Sequence, residues 1–233
     1  MSSYFEARRV KFDDCKDFKL PKYIIDEFPK DKNCKILDIG FGPGHFLKAL
    51  KDLSYTNSEG IDIDKPAVEN AKKNGLNVKL IKDLKSYLAE DNSGKYDFII
   101  MTHLIEHLPK DETIPILKLI YENKLNNGGK LFIATPNAQS LIGAYWAYED
   151  WTHSTIFTSG SLYYVLYMAG FRNIRFVDVQ GFSYSKKLYI PLRFIAFKLY
   201  ELFLKIRNKL FINFYHSNSE IILTWEIKTI ATK

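Results

Sequence analysis

The run Asp38-Ile39-Gly40-Phe41-Gly42-Pro43-Gly44 sets a carboxylate ahead of three glycines at alternate positions. Glycines spaced in this way let the backbone approach a ligand closely, and the amides at the start of a following helix can then face it. Nicotinamide-binding turns favour G-x-G-x-x-G, whereas here the third glycine comes one position sooner and an aspartate stands two positions before the first. That combination favours a different adenosine-containing ligand. Two further carboxylates follow at comparable places: Asp62 stands in the run GIDID, and Asp83 follows VKLIK. A carboxylate can accept two hydrogen bonds from a vicinal diol such as a ribose. Each aspartate also suits a simpler task, capping a turn or a helix. Histidines gather elsewhere, in YDFIIMTHLIEHL, which holds His103, Glu106 and His107, and in Glu149-Asp150-Trp151-Thr152-His153. Imidazole exchanges a proton near neutral pH and so suits general-base work.

These groups need elements to place them. From Lys35 onward, short β-rich apolar runs alternate with helical patterns, the signature of βαβ units and a parallel sheet covered on both faces. Strands are predicted near 35–39, 58–63, 77–81, 96–101, 130–134, 173–179 and 219–230. Helices are predicted near 44–53, 65–74, 84–90, 111–124 and 158–169, with Pro66 near a helix start and Gly75 just past a helix end. Asn126-Asn127-Gly128-Gly129 is expected to turn the chain into the fifth strand. The expected fold is one α/β domain over residues 1–233, an open, Rossmann-like, doubly wound sheet of seven mostly parallel strands with an antiparallel last strand. Residues 1–34, polar and aromatic, are expected to form a helix or lid over the sheet edge. His103 and His107 would share a helix face if their stretch is helical. Both would then lie just beyond the carboxyl end of a parallel strand, where such sheets bind ligands.

On these residues the chain resembles the class I S-adenosylmethionine-dependent methyltransferases, whose first motif has the form D/E-x-G-x-G-x-G at the end of the first strand. The resemblance runs from Lys35 to about Val179, plus the last strand. It implies that Gly40, Gly42 and Gly44 line the methionine part of S-adenosylmethionine, with Asp38 near its amino group. It further implies that Asp62 binds the ribose hydroxyls, that Asp83 contacts the adenine amino group and that Leu84 stacks beside the ring. The runs EHL, GGKLFIATPN, D-x-T-H and AGF resemble the branch of ubiquinone-type and glycan-modifying O-methyltransferases, and the N/D-P-P-Y/F signature of amino-methylating nucleic-acid enzymes is absent. The acceptor implied is a hydroxyl on a sugar of a cell-surface glycan or lipid-linked precursor. A quinone-like or phenolic acceptor, or a non-catalytic cofactor-binding role, are the alternatives. Methyl transfer from a sulfonium is an in-line displacement, so alignment and removal of the hydroxyl proton are what the protein must supply. His153 is the expected base, with Asp150 orienting it and His107 or His103 as a second contact to the acceptor. His153 could instead bond a backbone carbonyl, and the E-H-L run could simply pack the sheet end. Carboxylate and histidine ligands could also hold a divalent metal, but their spacing is not diagnostic, and no residue is assigned to a metal.

The formal charge is +6 over 233 residues, and it is concentrated. Residues 181–218 hold Lys186, Lys187, Arg193, Lys198, Lys205, Arg207 and Lys209 against Glu201 alone, which leaves the rest neutral overall. A uniformly basic nucleic-acid face is therefore not expected. Polar positions 198, 201, 205 and 208 recur at helical spacing within an apolar and aromatic run, which predicts an amphipathic insertion between the sixth and seventh strands. Charges interrupt it too often for a bilayer crossing. Lys and Arg beside Phe, Tyr and Leu suit peripheral contact with an anionic membrane surface through residues 189–215, while packing on the sheet or dimerisation would use the same face. Cys15 and Cys34 fit no metal-ligand spacing, and the start MSSYFEARRVKF lacks the apolar stretch of a signal peptide, so a cytoplasmic location is expected.

Overall fold

A computed structural model describes residues 4–10, 18–90, 94–181, 189–211 and 220–233. Among these, β1 (Ile36–Ile39), β2 (Ser58–Asp62), β3 (Val78–Leu80), β4 (Tyr96–Thr102), β5 (Leu125–Pro136), β6 (Asn173–Phe176) and β7 (Glu226–Thr232) form one sheet in the order β3-β2-β1-β4-β5-β7-β6. The pairs among β1 to β5 are parallel, and β7 runs antiparallel between β5 and β6. The fold is the doubly wound α/β sheet expected, with its antiparallel last strand.

Alternation along the central strands divides the core. Leu37, Ile39, Ile99, Met101, Leu131 and Ile133 pack on one face, whereas Ile36, Phe98, Ile100 and Phe132 pack on the other. Side chains two apart in a strand share a face, and with helices on both sides neither face can tolerate polar residues. α3 (His45–Asp52), α4 (Lys65–Lys73) and α5 (Leu84–Ala89) follow the first three strands. Asp64 and Asp83 start α4 and α5 by accepting bonds from the amides of Ala67 and Ser86. α6 (Lys110–Leu119) continues as a π-turn over Ile120–Lys124, and α8 (Ser159–Met168) starts in a capping box between Thr158 and Ser161.

Several elements depart from expectation. Residues 126–129 do not precede the fifth strand; they bulge from within it, so that Tyr96 pairs with Leu125 while Phe98 pairs with Lys130. Gly128, at φ +77°, supplies the left-handed residue this bulge requires. The stretch after β4 is a short 3-10 turn over Ile105–His107, preceded by His103 at φ +50°, so His103 and His107 do not share a helix face. A further helix, α7 (Gly143–Glu149), precedes the second histidine segment. The N-terminal region contributes two single-turn helices, α1 (Tyr4–Ala7) and α2 (Lys22–Ile25). The insertion carries α9 (Ile190–Phe211). Cys15, Lys186, Lys187 and residues 212–219 lie outside the described residues.

Candidate active site

The glycine turn joins β1 to α3. Gly40, Gly42 and Gly44 all hold positive φ, at +69°, +53° and +88°, a region that costs any other residue about 1–2 kcal/mol. A Cβ at Gly40 would sit 3.1 Å from Leu104, and one at Gly42 would sit 3.1 Å from Phe5. The turn thus lies between the loop after β4 and the N-terminal helix.

Asp38 is 1% exposed at the end of β1, and its Oδ1 has no hydrogen-bond partner among the described residues. Burial, aided by the neighbouring Asp62 carboxylate, pushes its pKa up to about 8. An orphaned buried carboxylate of this kind fits an incoming ammonium group. Asp62 ends β2, its Oδ2 accepting from the Gly42 amide at 2.9 Å and its Oδ1 from the Asp64 amide at 2.8 Å. Each oxygen keeps a second lone pair, so a ribose diol can still be received. Asp83 caps α5 from an exposed position, and its bonds to Ser86 hold its pKa below the usual range. Asp62, Asp83, Leu84 and Leu104 line a cavity of about 670 Å³ that reaches Gly40. The residues present therefore fit S-adenosylmethionine, with a recess of suitable size and a buried carboxylate that suits an ammonium group.

A second cavity, about 390 Å³, also opens at Gly40, and Phe18, Tyr23, Phe46, Phe132, His103 and Trp225 are among its lining residues. His103 stacks on Trp225 with ring centroids 5.5 Å apart and stands between two carboxylates, 3.4 Å from Glu106 Oε1 and 3.3 Å from Glu226 Oε2. Burial lowers its pKa, but the two carboxylates outweigh burial and raise it to about 10. The two carboxylates thus favour the imidazolium form of His103 at neutral pH, which suits a contact to the acceptor better than proton removal. Glu226 passes the charge on to Lys228, 3.1 Å away, which in turn pairs with Asp178.

The remaining two histidines come together across 46 positions of sequence, their rings 4.7 Å apart and edge-on. The amides of Ser154 and Thr155 both donate to the Glu106 carbonyl, which draws the segment after α7 onto the 3-10 turn. His153 does not rely on Asp150 for its orientation: its Nδ1 is 2.7 Å from the Trp146 carbonyl, while its Nε2 stays 3.9 Å from Asp150 Oδ2. A carbonyl only accepts, so Nδ1 carries the proton and Nε2 the lone pair. Asp150 instead accepts from Thr152 and from the Tyr4 hydroxyl. Burial raises the Asp150 pKa, yet these bonds bring it down to about 2. Burial lowers the pKa of His107, with the nearby His153 acting in the same direction.

Sequence reasoning did not single out Tyr4, Arg8, Trp225 or Glu226. Tyr4 and Arg8 reach the site from α1 and its end: the Tyr4 ring meets His107 edge-on, and Arg8 donates to the Glu149 carbonyl at 2.7 Å. Nothing in the first ten residues signals such a long-range contact. Glu226 was legible in principle, as the one charged residue of the run IILTWEI.

Comparison with known proteins agrees with this geometry. A family profile described as "Methyltransferase domain" matches residues 13–175, well over half of the chain. Ribosomal protein L11 methyltransferase of Limosilactobacillus reuteri is 32% identical over 102 residues, covering 42% of this chain and 30% of that protein. Its counterpart from Mannheimia succiniciproducens is 30% identical over 115 residues, 49% of this chain and 39% of that protein. The chain thus matches less than two fifths of the length of these curated relatives. A SAM-dependent methyltransferase from Archaeoglobus fulgidus shares the fold with a TM-score of 0.66 at 23% identity, over 99% of this chain and 98% of that one. The glycine turn, the orphaned Asp38 and the matching family profile together place the chain among the S-adenosylmethionine-dependent methyltransferases.

Proposed function

We propose that the chain methylates a hydroxyl group of a sugar, on a cell-surface glycan or a lipid-carried precursor. The observation that carries the reading is the pair His107 and His153 beside the cofactor cavity. His107 lines that cavity, is held neutral by burial, and neighbours an imidazole with a free Nε2 lone pair. Neutral imidazoles accept a hydroxyl proton near pH 7, whereas an amine acceptor needs no such partner once its own proton is lost. In this reading Asp38, Gly40, Gly42 and Gly44 hold the methionine part of the cofactor, and Asp62, Asp83 and Leu84 hold its adenosine. His153 takes the proton, and His103, as an imidazolium, orients the acceptor. Tyr4, Phe5 and Arg8 close over the site, which gives the N-terminal segment the role of a lid.

α9 supports an acceptor delivered at a membrane surface. Leu192, Ile195, Leu199, Leu202, Phe203, Ile206 and Leu210 are each more than half exposed. Lys198 and Lys205, also more than half exposed, flank these side chains and border a cleft against Glu220, Ile221 and Leu223. No helix among the described residues is long and apolar enough to cross a membrane. An exposed apolar face flanked by Lys and Arg suits the interfacial region of an anionic bilayer.

Transfer of a labelled methyl group to purified sugar acceptors tests the reaction. Labelling of a phenolic or quinone precursor with no glycan product moves the enzyme to small-molecule metabolism, for which the aromatic lining of the second cavity would account. Flotation with vesicles containing phosphatidylserine tests the surface. Binding that survives neutralising Lys198, Lys205 and Arg207 argues against an anionic interface.

A further inference from the structure

Glu106, His107 and His153 each offer one ligand atom, and these atoms all lie within 4.8 Å of one another. Their protonation is fixed by the hydrogen bonds around them. The Thr152 hydroxyl has one proton, and it goes to Asp150 Oδ1 at 2.6 Å, because an ionised carboxylate can only accept. Thr152 Oγ1 must therefore accept from His107 Nδ1, 2.9 Å away. His107, like His153, is protonated on Nδ1 and presents a bare Nε2. The third group is a fully buried carboxylate. Glu106 Oε2 accepts from the Thr135 hydroxyl at 2.9 Å, while Oε1, without a hydrogen bond among the described residues, lies 3.4 Å from the His103 ring. Two imidazoles that each keep one nitrogen free of a proton, clustered with a buried carboxylate, have the composition of a metal-ligand set.

We propose that these three residues bind a first-row divalent metal ion. Two neutral imidazoles and one carboxylate are a ligand set suited to zinc, manganese, cobalt or iron(II), and one that leaves further coordination positions open. Both histidines already carry the supporting bond on the opposite nitrogen that metal-ligating histidines require, His107 to Thr152 and His153 to the Trp146 carbonyl. Ligand atoms around such an ion stand about 3 Å apart, as metal–ligand distances of about 2.0–2.2 Å dictate, so binding draws the three groups inward. The ligands come from two segments held together by the amides of Ser154 and Thr155 on the Glu106 carbonyl, so the ion also clasps the loop after α7 to the end of β4. Because His107 also lines the cofactor cavity, an acceptor oxygen reaching the donor methyl would approach this ion. The ion would lower the pKa of that hydroxyl so that its proton is released to solvent water, with His153 serving as a ligand in place of its role as the base. The site itself does not depend on which acceptor is methylated.

The full chain, stripped with a chelator, is titrated with Co²⁺ while its visible d–d absorption is followed, with no acceptor present. One equivalent is expected to bind. His153→Ala and Glu106→Gln should abolish the absorption, and Thr152→Val, which removes the support of His107 together with the bond to Asp150 but none of the three ligands, should weaken binding roughly 10- to 100-fold. Binding of S-adenosylhomocysteine and the thermal unfolding curve of each variant establish that it is folded. Absence of d–d absorption at millimolar Co²⁺, or binding unchanged in folded His153→Ala, overturns the site. Methyl transfer that persists in metal-free protein while Co²⁺ fails to bind leaves the general-base reading of His153 standing alone.

Discussion

Replacing Asp38 with Asn isolates the charge that the glycine turn keeps buried. With its pKa at about 8, Asp38 is ionised in roughly one molecule in a hundred at pH 6 and in half at pH 8. The cofactor's amino group, with an ordinary pKa of about 8, is protonated almost fully at pH 6 and about half at pH 8. If the two pair as carboxylate and ammonium, affinity for S-adenosylhomocysteine rises about 25-fold from pH 6 to pH 8 and falls again above it. Calorimetric titration across that range measures it directly. Asp38→Asn should bind more weakly at pH 8, with most of the rise between pH 6 and 8 removed. The cofactor-free protein moves in the opposite direction. A carboxyl whose folded pKa lies above its unfolded value stabilises the fold below about pH 4, and that contribution is lost as pH rises toward 8, at up to about 1.4 kcal/mol per unit. Urea unfolding at pH 5 and pH 7 should show the wild type losing ground to Asp38→Asn by a sizeable part of that slope. A stability difference that does not change with pH, together with a flat binding profile in the wild type, would refute the assignment of a buried, mostly protonated Asp38.

Two other substitutions probe how the site is held. Gly60→Ala would place a Cβ 2.5 Å from Leu47 and 2.7 Å from Phe41, overpacking the underside of the glycine turn; a cost of about 1–3 kcal/mol in urea unfolding, accompanied by weaker cofactor binding, is expected. Glu27 pairs with Lys130 on β5 at 3.0 Å and with Arg175 on β6; burial raises its pKa, but these two cations outweigh burial and lower it. Glu27→Gln should therefore destabilise the chain by roughly 1–3 kcal/mol at pH 7. The gap between the two proteins should close as the pH falls through the lowered pKa, which chemical denaturation at pH 3 and 7 can follow.

Most of the sheet was legible because its central strands are buried on both faces and so read as apolar runs such as FIIM and LFIA. The cofactor turn was legible for the same reason a turn usually is: three positions that demand positive φ leave glycines at fixed spacing. What escaped depended on distance in the chain. His153 and Asp150 read as a pair because they are three apart, yet the imidazole turned to the Trp146 carbonyl, which no side-chain pattern encodes. His103 read as a candidate contact of ordinary titration, and its charge is favoured by Glu106, three positions on, together with Glu226, 123 positions away on a strand whose neighbour could not be inferred from local sequence. The bulge at residues 126–129 was read as a turn because the same Asn and Gly residues serve both, and only the pairing partner tells them apart.

The place of β7 also bears on the order in which the molecule assembles. β1, β2 and β3 with their helices span residues 36–80, so the half that receives the cofactor closes through short loops. β7 must instead return across some ninety residues to pair Ile227 with Thr135 before Glu226 and Trp225 can take their places beside His103. Long-range strand pairing is slow because the loop entropy is lost before the contacts are gained. The wall that meets the acceptor is therefore expected to form last, on a cofactor-binding half that is already folded, and pulse-labelling of β2 and β7 amides during refolding would resolve the two events.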